Sequence, residues 1–596
     1  MKLSDYVIQF LAEKGVTHFF GMSGGAAVHL FDSIGKNPAT HYVCVQHEQS
    51  ASIGADGYAR TTGKIGVAIT TSGPGATNLI TGVCSSYYDS IPTLMITGQV
   101  ATSRLKGLLK VRQIGFQETD VISIYQTVTK YAYQIQDPNT IRYHLEKAYY
   151  IAFEGRPGPV LLDIPDDLQR CNINPQAMTG FIPEPLILQK SDSVTTAIQQ
   201  TLEEIAKAKR PILILGAGLK TPLIPQKEIL CFVEKLRIPV LLTWAAIDLL
   251  PNLHPLCVGP FGVYGPRPGN FAVQNSDFIL CIGSRLSQNL TGGILSSFAR
   301  EAKITMVDID VSEMDKFENR GIHIAQKIQC TAADFIKKAN ASTTFVFYKN
   351  HHYWLEKISF WKKEFLLPST LPKPKNLPCV NAYEFVKKLT NIAPEHELIF
   401  VDTGGNLTWT CNAWKTKKEQ RVHSAWNNTP MGYSLPAAIG ASFGNKTTPI
   451  TCIIGDGGLM ICLSELATIV YHQLPIRIFL FNNHGHGIQK QTLETWLEAR
   501  YEGVHPDSGL AFPNFVALAK AFDLPTITIN KKEMMEQQLR EAYEFIGPVF
   551  VNVEIDPDQK LYPVLKYGAA LENQLPLLKK EILEREMIIK KFPTSI

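Results

Sequence analysis

A chain of 596 residues with 45% apolar and 19% charged side chains can bury several cores, and its length predicts roughly three or four domains. The formal charge of +4 is spread along the chain with no basic run beyond "KPKN", which argues against nucleic acid as a partner. No apolar run is long enough to span a membrane, the N-terminal "MKLSDYVIQFLAEKGVTHFFG" lacks the apolar core of a signal peptide, and eleven scattered cysteines without a CxxC predict reduced thiols in a cytoplasmic protein.

In the first block, residues 1–175, helix-period stretches alternate with the short strands "THFFG", "HYVCVQ", "KIGVAITTS", "TLMITG" and "GPVLLDIP". Glu48 follows "HYVCV" and opens a helix, where a carboxylate is by itself an ordinary helix-dipole contact. "TSGPGATN" reads as a turn and helix cap. A proline-bearing link around "FIPEPLILQKSDS" leads to the second block, 191–342, with strands in "RPILILGAGL", "IPVLLTW", "SDFILCIGSR" and "KITMVDID". A second link, "FLLPSTLPKPKNLPCVN", precedes the third block, 381–567, which holds "ELIFVDTGG", "ITCIIGDGG", "IRIFLFNN" and "VFVNVEI". The charged tail, 568–596, is expected to pack as an irregular arm. The fold class that follows is α/β, three consecutive parallel-sheet domains.

The sharpest local signal is "GDGGLMICLSELATIVYHQLPIRIFLFNN". "PITCII" and "IRIFLF" read as buried strands, and Leu463, Leu466, Ala467 and Val470 share one helical face between them. A βαβ unit of this length places Asp456 and Asn483 past the carboxyl ends of neighbouring parallel strands, the ligand-binding edge of such sheets. Gly455, Gly457 and Gly458 let backbone N–H groups approach an anion. An acid and an amide oxygen suit Mg²⁺ that keeps part of its shell for phosphate oxygens. The stretch therefore reads as a metal–diphosphate clamp.

GDG and NN at this spacing, together with "VQHEQSASIGADGYAR", "TSGPGATN", "YYDSIPTLMITGQV", "GFQETD" and "GRPGPVLLDIP" in that order, resemble the thiamine diphosphate enzymes, in their acetolactate synthase-like branch, over nearly the whole chain. The resemblance implies pyrimidine-binding, central and diphosphate-binding domains, a 2-keto acid donor and a carbonyl acceptor. It also implies a homodimer or homotetramer whose active sites lie between subunits. It casts Asp456, Asn483 and the Gly485 carbonyl as Mg²⁺ ligands. Glu48 becomes the carboxylate that activates the aminopyrimidine, and Gly25 in "GMSGGAA" a backbone donor to a developing oxyanion. Phe116 and Gln117 would shape the substrate pocket. Gly405 and Asn406 would touch the diphosphate, and Met431 in "NNTPMGYSLPAAIG" would wedge the cofactor into its bent shape.

The departures bear on acceptor and flavin. Thr492 stands where branched-chain synthases carry a tryptophan, and Gln489 replaces an apolar residue. A wider pocket with a buried amide points to a hydroxylated acceptor, with a keto-sugar nucleotide as one alternative and a flavin-dependent pyruvate oxidase as another. Gly216, Ala217, Gly218 and Arg285 match flavin contacts of members that keep a non-redox FAD, and Asp308 and Ile309 match more loosely. Ser287 and Asn289 replace an acid and an arginine there, so the resemblance leaves FAD open. Both Glu48 and Asp456 are retained, which argues against a non-catalytic paralogue.

Overall fold

Runs such as "PILIL" and "ITCIIG" do not alternate apolar with charged residues, so both faces of each strand need cover, and parallel strands with helices on both sides supply it. The computed structural model describes residues 1–184, 191–220, 224–342, 351–367 and 378–595. The "KPKN" run and the middles of both links lie outside these residues.

Most described strands form three six-stranded sheets, each parallel throughout, and Val564–Leu565 and Gln574–Leu575 add a small antiparallel pair. The N-terminal sheet holds β1 (His18–Gly21), β2 (His41–Cys44), β3 (Gly66–Thr70), β4 (Thr93–Gln99), β5 (Tyr131–Gln134) and β6 (Val160–Pro165) in the order β2-β1-β3-β4-β6-β5. The central sheet holds β7 (Pro211–Leu215), β8 (Val240–Leu242), β9 (Cys257–Pro260), β10 (Phe278–Ile282), β11 (Lys303–Asp308) and β12 (Ile324–Gln329) in the order β12-β11-β10-β7-β8-β9. The third holds β13 (Leu398–Val401), β14 (Arg421–His423), β15 (Ile450–Gly455), β16 (Ile476–Asn482), β17 (Thr526–Ile529) and β18 (Val549–Glu554) in the order β14-β13-β15-β16-β18-β17.

The first and third domains thus repeat one topology, and the central domain has another, the doubly wound order of dinucleotide-binding sheets. The strand order reverses between β1 and β3, between β7 and β10, and between β13 and β15. In such sheets the crevice at the reversal is where a ligand enters.

The helices Glu48–Thr62 and Ser434–Gly444 join the first domain to the third. They touch backbone to backbone. A Cβ on Gly57 would lie 2.1 Å from the Ala437 carbonyl oxygen, and one on Gly440 would lie 1.9 Å from that of Gly54. Buried between them, Tyr433 Oη donates to Asp56, whose carboxylate also pairs with Arg60.

Two stretches outside the three blocks add to the central core. Between the second block and the second link, His352–Glu364 is a helix that buries Trp354 and Trp361 there. The tail packs, as expected, and is irregular over most of its length, but it also holds the strand Gln574–Leu575 and the helix Lys580–Glu586, and Leu583, Met587 and Ile589 close the same core. The physical reason is polar as well as apolar: buried Glu586 accepts from Trp361 Nε1 at 2.7 Å and pairs with Lys357 at 2.6 Å.

Candidate active site

The βαβ unit forms as its periodicity predicts. β15 and β16 pair in parallel from Ile450 opposite Ile476 to Gly455 opposite Phe481. Asp456 and Asn483 therefore leave the same sheet edge, beside the β13/β15 reversal. The loop after β13 brings Gly405 and Asn406 to that edge. Asn406 Nδ2 donates to the Asp402 carbonyl at 2.7 Å, and its Oδ1 lies 3.1 Å from where a Gly455 Cβ would sit.

Asp456 is buried, and its carboxylate accepts from the backbone N–H of Gly457 at 2.6 Å and of Gly485 at 3.1 Å. Among the described residues no lysine or arginine pairs with it. Burial pushes its pKa up to about 6, with nearby His484 opposing the rise. A buried carboxylate compensated by backbone dipoles and a neighbouring imidazole, with no lysine or arginine against it, is a fitting seat for a divalent cation, because the ion would restore its charged form. Asn483 is also buried, and its Nδ2 lies 2.6 Å from where a Gly487 Cβ would sit, so only glycine fits at the start of the helix Gly487–Trp496.

Asp402, absent from the sequence reading, organises the cofactor side of this edge. Its carboxylate accepts from the N–H of Gly432 at 3.0 Å and of Thr403 at 2.7 Å, which fixes the turn carrying Met431. Burial raises its pKa to about 7. Gly457 is hemmed by Met431 and by His486, whose Nε2 is 2.6 Å from a Cβ built at Gly457. Any side chain at 457 would displace the imidazole or close the space between it and Met431.

The second half of the site lies at the β1/β3 reversal. Gly25 is exposed and unobstructed, and Ala26 N donates to Thr71 Oγ1 at 3.2 Å. Glu48 opens the helix Glu48–Thr62, and His47 caps it with a ring nitrogen that accepts from Gln49 N. The Glu48 carboxylate is buried, and Asn78 Nδ2 donates to its Oε2 at 2.9 Å. "TSGPGATN" is thus more than a turn, since its last residue orients Glu48. The third domain supports the same loop: buried Glu465 accepts from Gln46 N at 2.9 Å. Glu465 was also missed. Its only signal in the sequence is an acid within an otherwise apolar helix.

Other expected residues are placed less fully. Phe116 is 85% exposed, and Gln117, at φ 63°, packs its backbone against Gly73. Among the described residues no hydrogen bond or ion pair joins Glu48 or Asn78 to Asp456, Asn483 or Met431 within one chain. Gln489 is exposed in the single chain, at the start of the helix Gly487–Trp496. Thr492 Oγ1 spends its donor on the Ile488 carbonyl of its own helix at 3.0 Å.

Family profiles match each domain: "Thiamine pyrophosphate enzyme, N-terminal TPP binding domain" over residues 1–124, "central domain" over 198–337 and "C-terminal TPP binding domain" over 402–553. The chain belongs to the thiamine pyrophosphate enzymes. This thiamine diphosphate enzyme is similar to the acetolactate synthase isozyme 1 large subunit of Escherichia coli (strain K12), 30% identical over 570 residues that cover 95% of this chain and 96% of the relative. It is 32% identical over 581 residues to a probable acetolactate synthase large subunit of Methanocaldococcus jannaschii, covering 96% of this chain and 95% of the relative. It is 30% identical over 576 residues to the acetolactate synthase large subunit of Lactococcus lactis, covering 96% of each. The enzyme is accordingly acetolactate synthase-like, with thiamine diphosphate as its cofactor. No helix among the described residues is long and apolar enough to cross a membrane.

Proposed function

We propose that this enzyme takes pyruvate as donor, releases carbon dioxide and joins the remaining two-carbon unit to the carbonyl of a second 2-keto acid, with acetolactate as the product from pyruvate alone. The observation that carries the reading is the pairing of two buried carboxylates on the two reversal edges, Glu48 oriented by Asn78 and Asp456 without a side-chain cation. Asp456, Asn483 and the Gly485 carbonyl are the groups that would hold Mg²⁺, and Met431 the side chain that would support the cofactor. Bound thiamine diphosphate supplies the electron sink for breaking and making the carbon–carbon bonds. Glu48 supplies the proton relay to its aminopyrimidine. Asn78 fixes the carboxylate, and Asp402 fixes the turn that presents Met431.

A homodimer completes the site in this reading. Leu108, Leu109, Val111, Ile114 and Phe116 are all exposed on one segment, and Glu118 ties it down through the N–H groups of Lys106 and Ile114. Met460 and Ile461 are exposed on the helix that Asp456 opens. Two apolar surfaces next to the two half-sites suit burial against a second copy. Eleven free thiols suit the reducing cytoplasm. The larger, hydroxylated acceptor considered from the sequence is not favoured, because the similar relatives carry acetolactate synthase names.

The test is product identification by mass and chirality. Purified enzyme with Mg²⁺ and thiamine diphosphate is given pyruvate alone, pyruvate with 2-ketobutyrate, and pyruvate with larger carbonyl compounds. Acetolactate, or its ethyl homologue, as the main product supports the proposal. Free acetaldehyde, or acetate with peroxide, as the main product contradicts it.

A further inference from the structure

The central sheet has the strand order of a dinucleotide-binding domain, so its reversal between β7 and β10 is where FAD would lie. That crevice is closed. The β7–β10 ladder runs on as Gly216 N donates to the Ile282 carbonyl at 2.9 Å, and beyond it the two loops are joined by Gly218 N, which donates to the Gly283 carbonyl at 3.0 Å. A Cβ on Gly216 would lie 2.2 Å from the Gly283 oxygen, and one on Gly218 would lie 2.9 Å from Gly283 Cα. Close packing of the two loops therefore accounts for both glycines, and the N–H groups of Gly216 and Gly218 are both already bonded.

The cation is committed too. Arg285 Nη1 lies 3.4 Å from Glu313 Oε1, and its Nη2 donates to Asn427 Oδ1 at 2.6 Å. Glu313 also pairs with Arg156 at 2.9 Å and Lys316 at 2.6 Å, while Arg156 Nε donates to Ser90 Oγ at 2.8 Å. Asn427 Nδ2 donates to Asp89 Oδ1 at 2.7 Å, and Asp89 Oδ2 pairs with buried Arg60 at 2.8 Å. One polar chain thus runs from the first domain through the central domain to the third and back. A flavin diphosphate would have to compete with Glu313 for Arg285 and separate the two glycine loops.

We propose that this enzyme works without FAD, and that Arg285, Glu313 and Asn427 instead tie the three domains together at the loops whose sequence resembles flavin contacts. The residues present do not fit the group, since Ser287 and Asn289 add no charge that could replace Arg285. Ser287 caps the short helix Gln288–Thr291 with its carbonyl, and the Asn289 carbonyl accepts from Val263 N at 2.8 Å.

The test uses the full chain, purified with thiamine diphosphate and Mg²⁺ and then incubated with FAD and desalted. Absorbance near 450 nm and flavin release on heating report binding, and carboligation is assayed with and without added FAD. The expected result is no stoichiometric flavin and no change in rate. Flavin retained near one per chain, or a rate that rises saturably with FAD, overturns the proposal. The tie is tested separately by Glu313→Gln and Asn427→Ala, each expected to lower the thermal midpoint by about 1 °C in a chain of this length. If either variant melts as the wild type does, the tie is overturned. The flavin readout on the wild type stands whether or not the variants fold.

Discussion

Replacing Asp456 by asparagine is expected to stabilise the metal-free enzyme above neutral pH while abolishing its hold on metal and cofactor. Folding raises the Asp456 carboxyl from 3.8 to about 6 because the group is buried. The stabilising contribution of the protonated form is therefore fully present below about pH 4 and is lost as pH rises through about 6. A rise of about 2 units at about 1.4 kcal/mol each puts the cost of the ionised, metal-free carboxylate near 3 kcal/mol. Asparagine carries no charge, but it keeps only one oxygen for the N–H groups of Gly457 and Gly485, a loss of about 1 kcal/mol. The net gain for the metal-free variant is about 2 kcal/mol at pH 8, and the sign reverses near pH 4. Thermal midpoints of wild type and variant in chelator, at pH 8 and pH 4.5, measure it. Titration with Mg²⁺ and thiamine diphosphate should then stabilise the wild type alone. A variant that melts below the wild type at pH 8 and still binds both would refute the account of this carboxylate.

Three further outcomes are expected. Gly440→Ala puts a methyl group 1.9 Å from the Gly54 carbonyl oxygen, and overpacking there should cost about 1–3 kcal/mol or more in thermal or denaturant unfolding. Mixing inactive Glu48→Gln and Asp456→Ala chains under subunit exchange should restore about one quarter of wild-type activity if each site draws on both subunits, because half the dimers carry one intact site of two; no recovery would place both residues of a site in one chain. Thr492→Trp should raise the preference for 2-ketobutyrate over pyruvate by about tenfold in a competition assay, the scale of one added apolar contact, and an unchanged product ratio would separate Thr492 from the acceptor.

Much of this was legible in local pattern. The apolar runs around "GDGG" and "FNN" allow only a βαβ unit, and strands β15 and β16 fall on them with Asp456 and Asn483 at one edge. Glu48 was identifiable only through its neighbouring motifs, since an acid at a helix start is common. Asp402 and Glu465 were not legible, because their partners Gly432 and Gln46 lie 30 and 419 positions away, and no periodicity links them. The central strand order was equally hidden. Alternating strands and helices specify a parallel sheet but not which strands are neighbours, and that order locates the crevice between Gly216 and Gly283.

The account rests most heavily on Glu48 as the group that activates bound thiamine diphosphate, and hydrogen–deuterium exchange at C2 of the enzyme-bound cofactor reads that step without reference to any acceptor. In Glu48→Gln, with the same cofactor occupancy, exchange is predicted to slow by about 10²–10⁴-fold, the usual worth of positioned acid–base assistance. An exchange rate equal to that of the wild type would contradict the account.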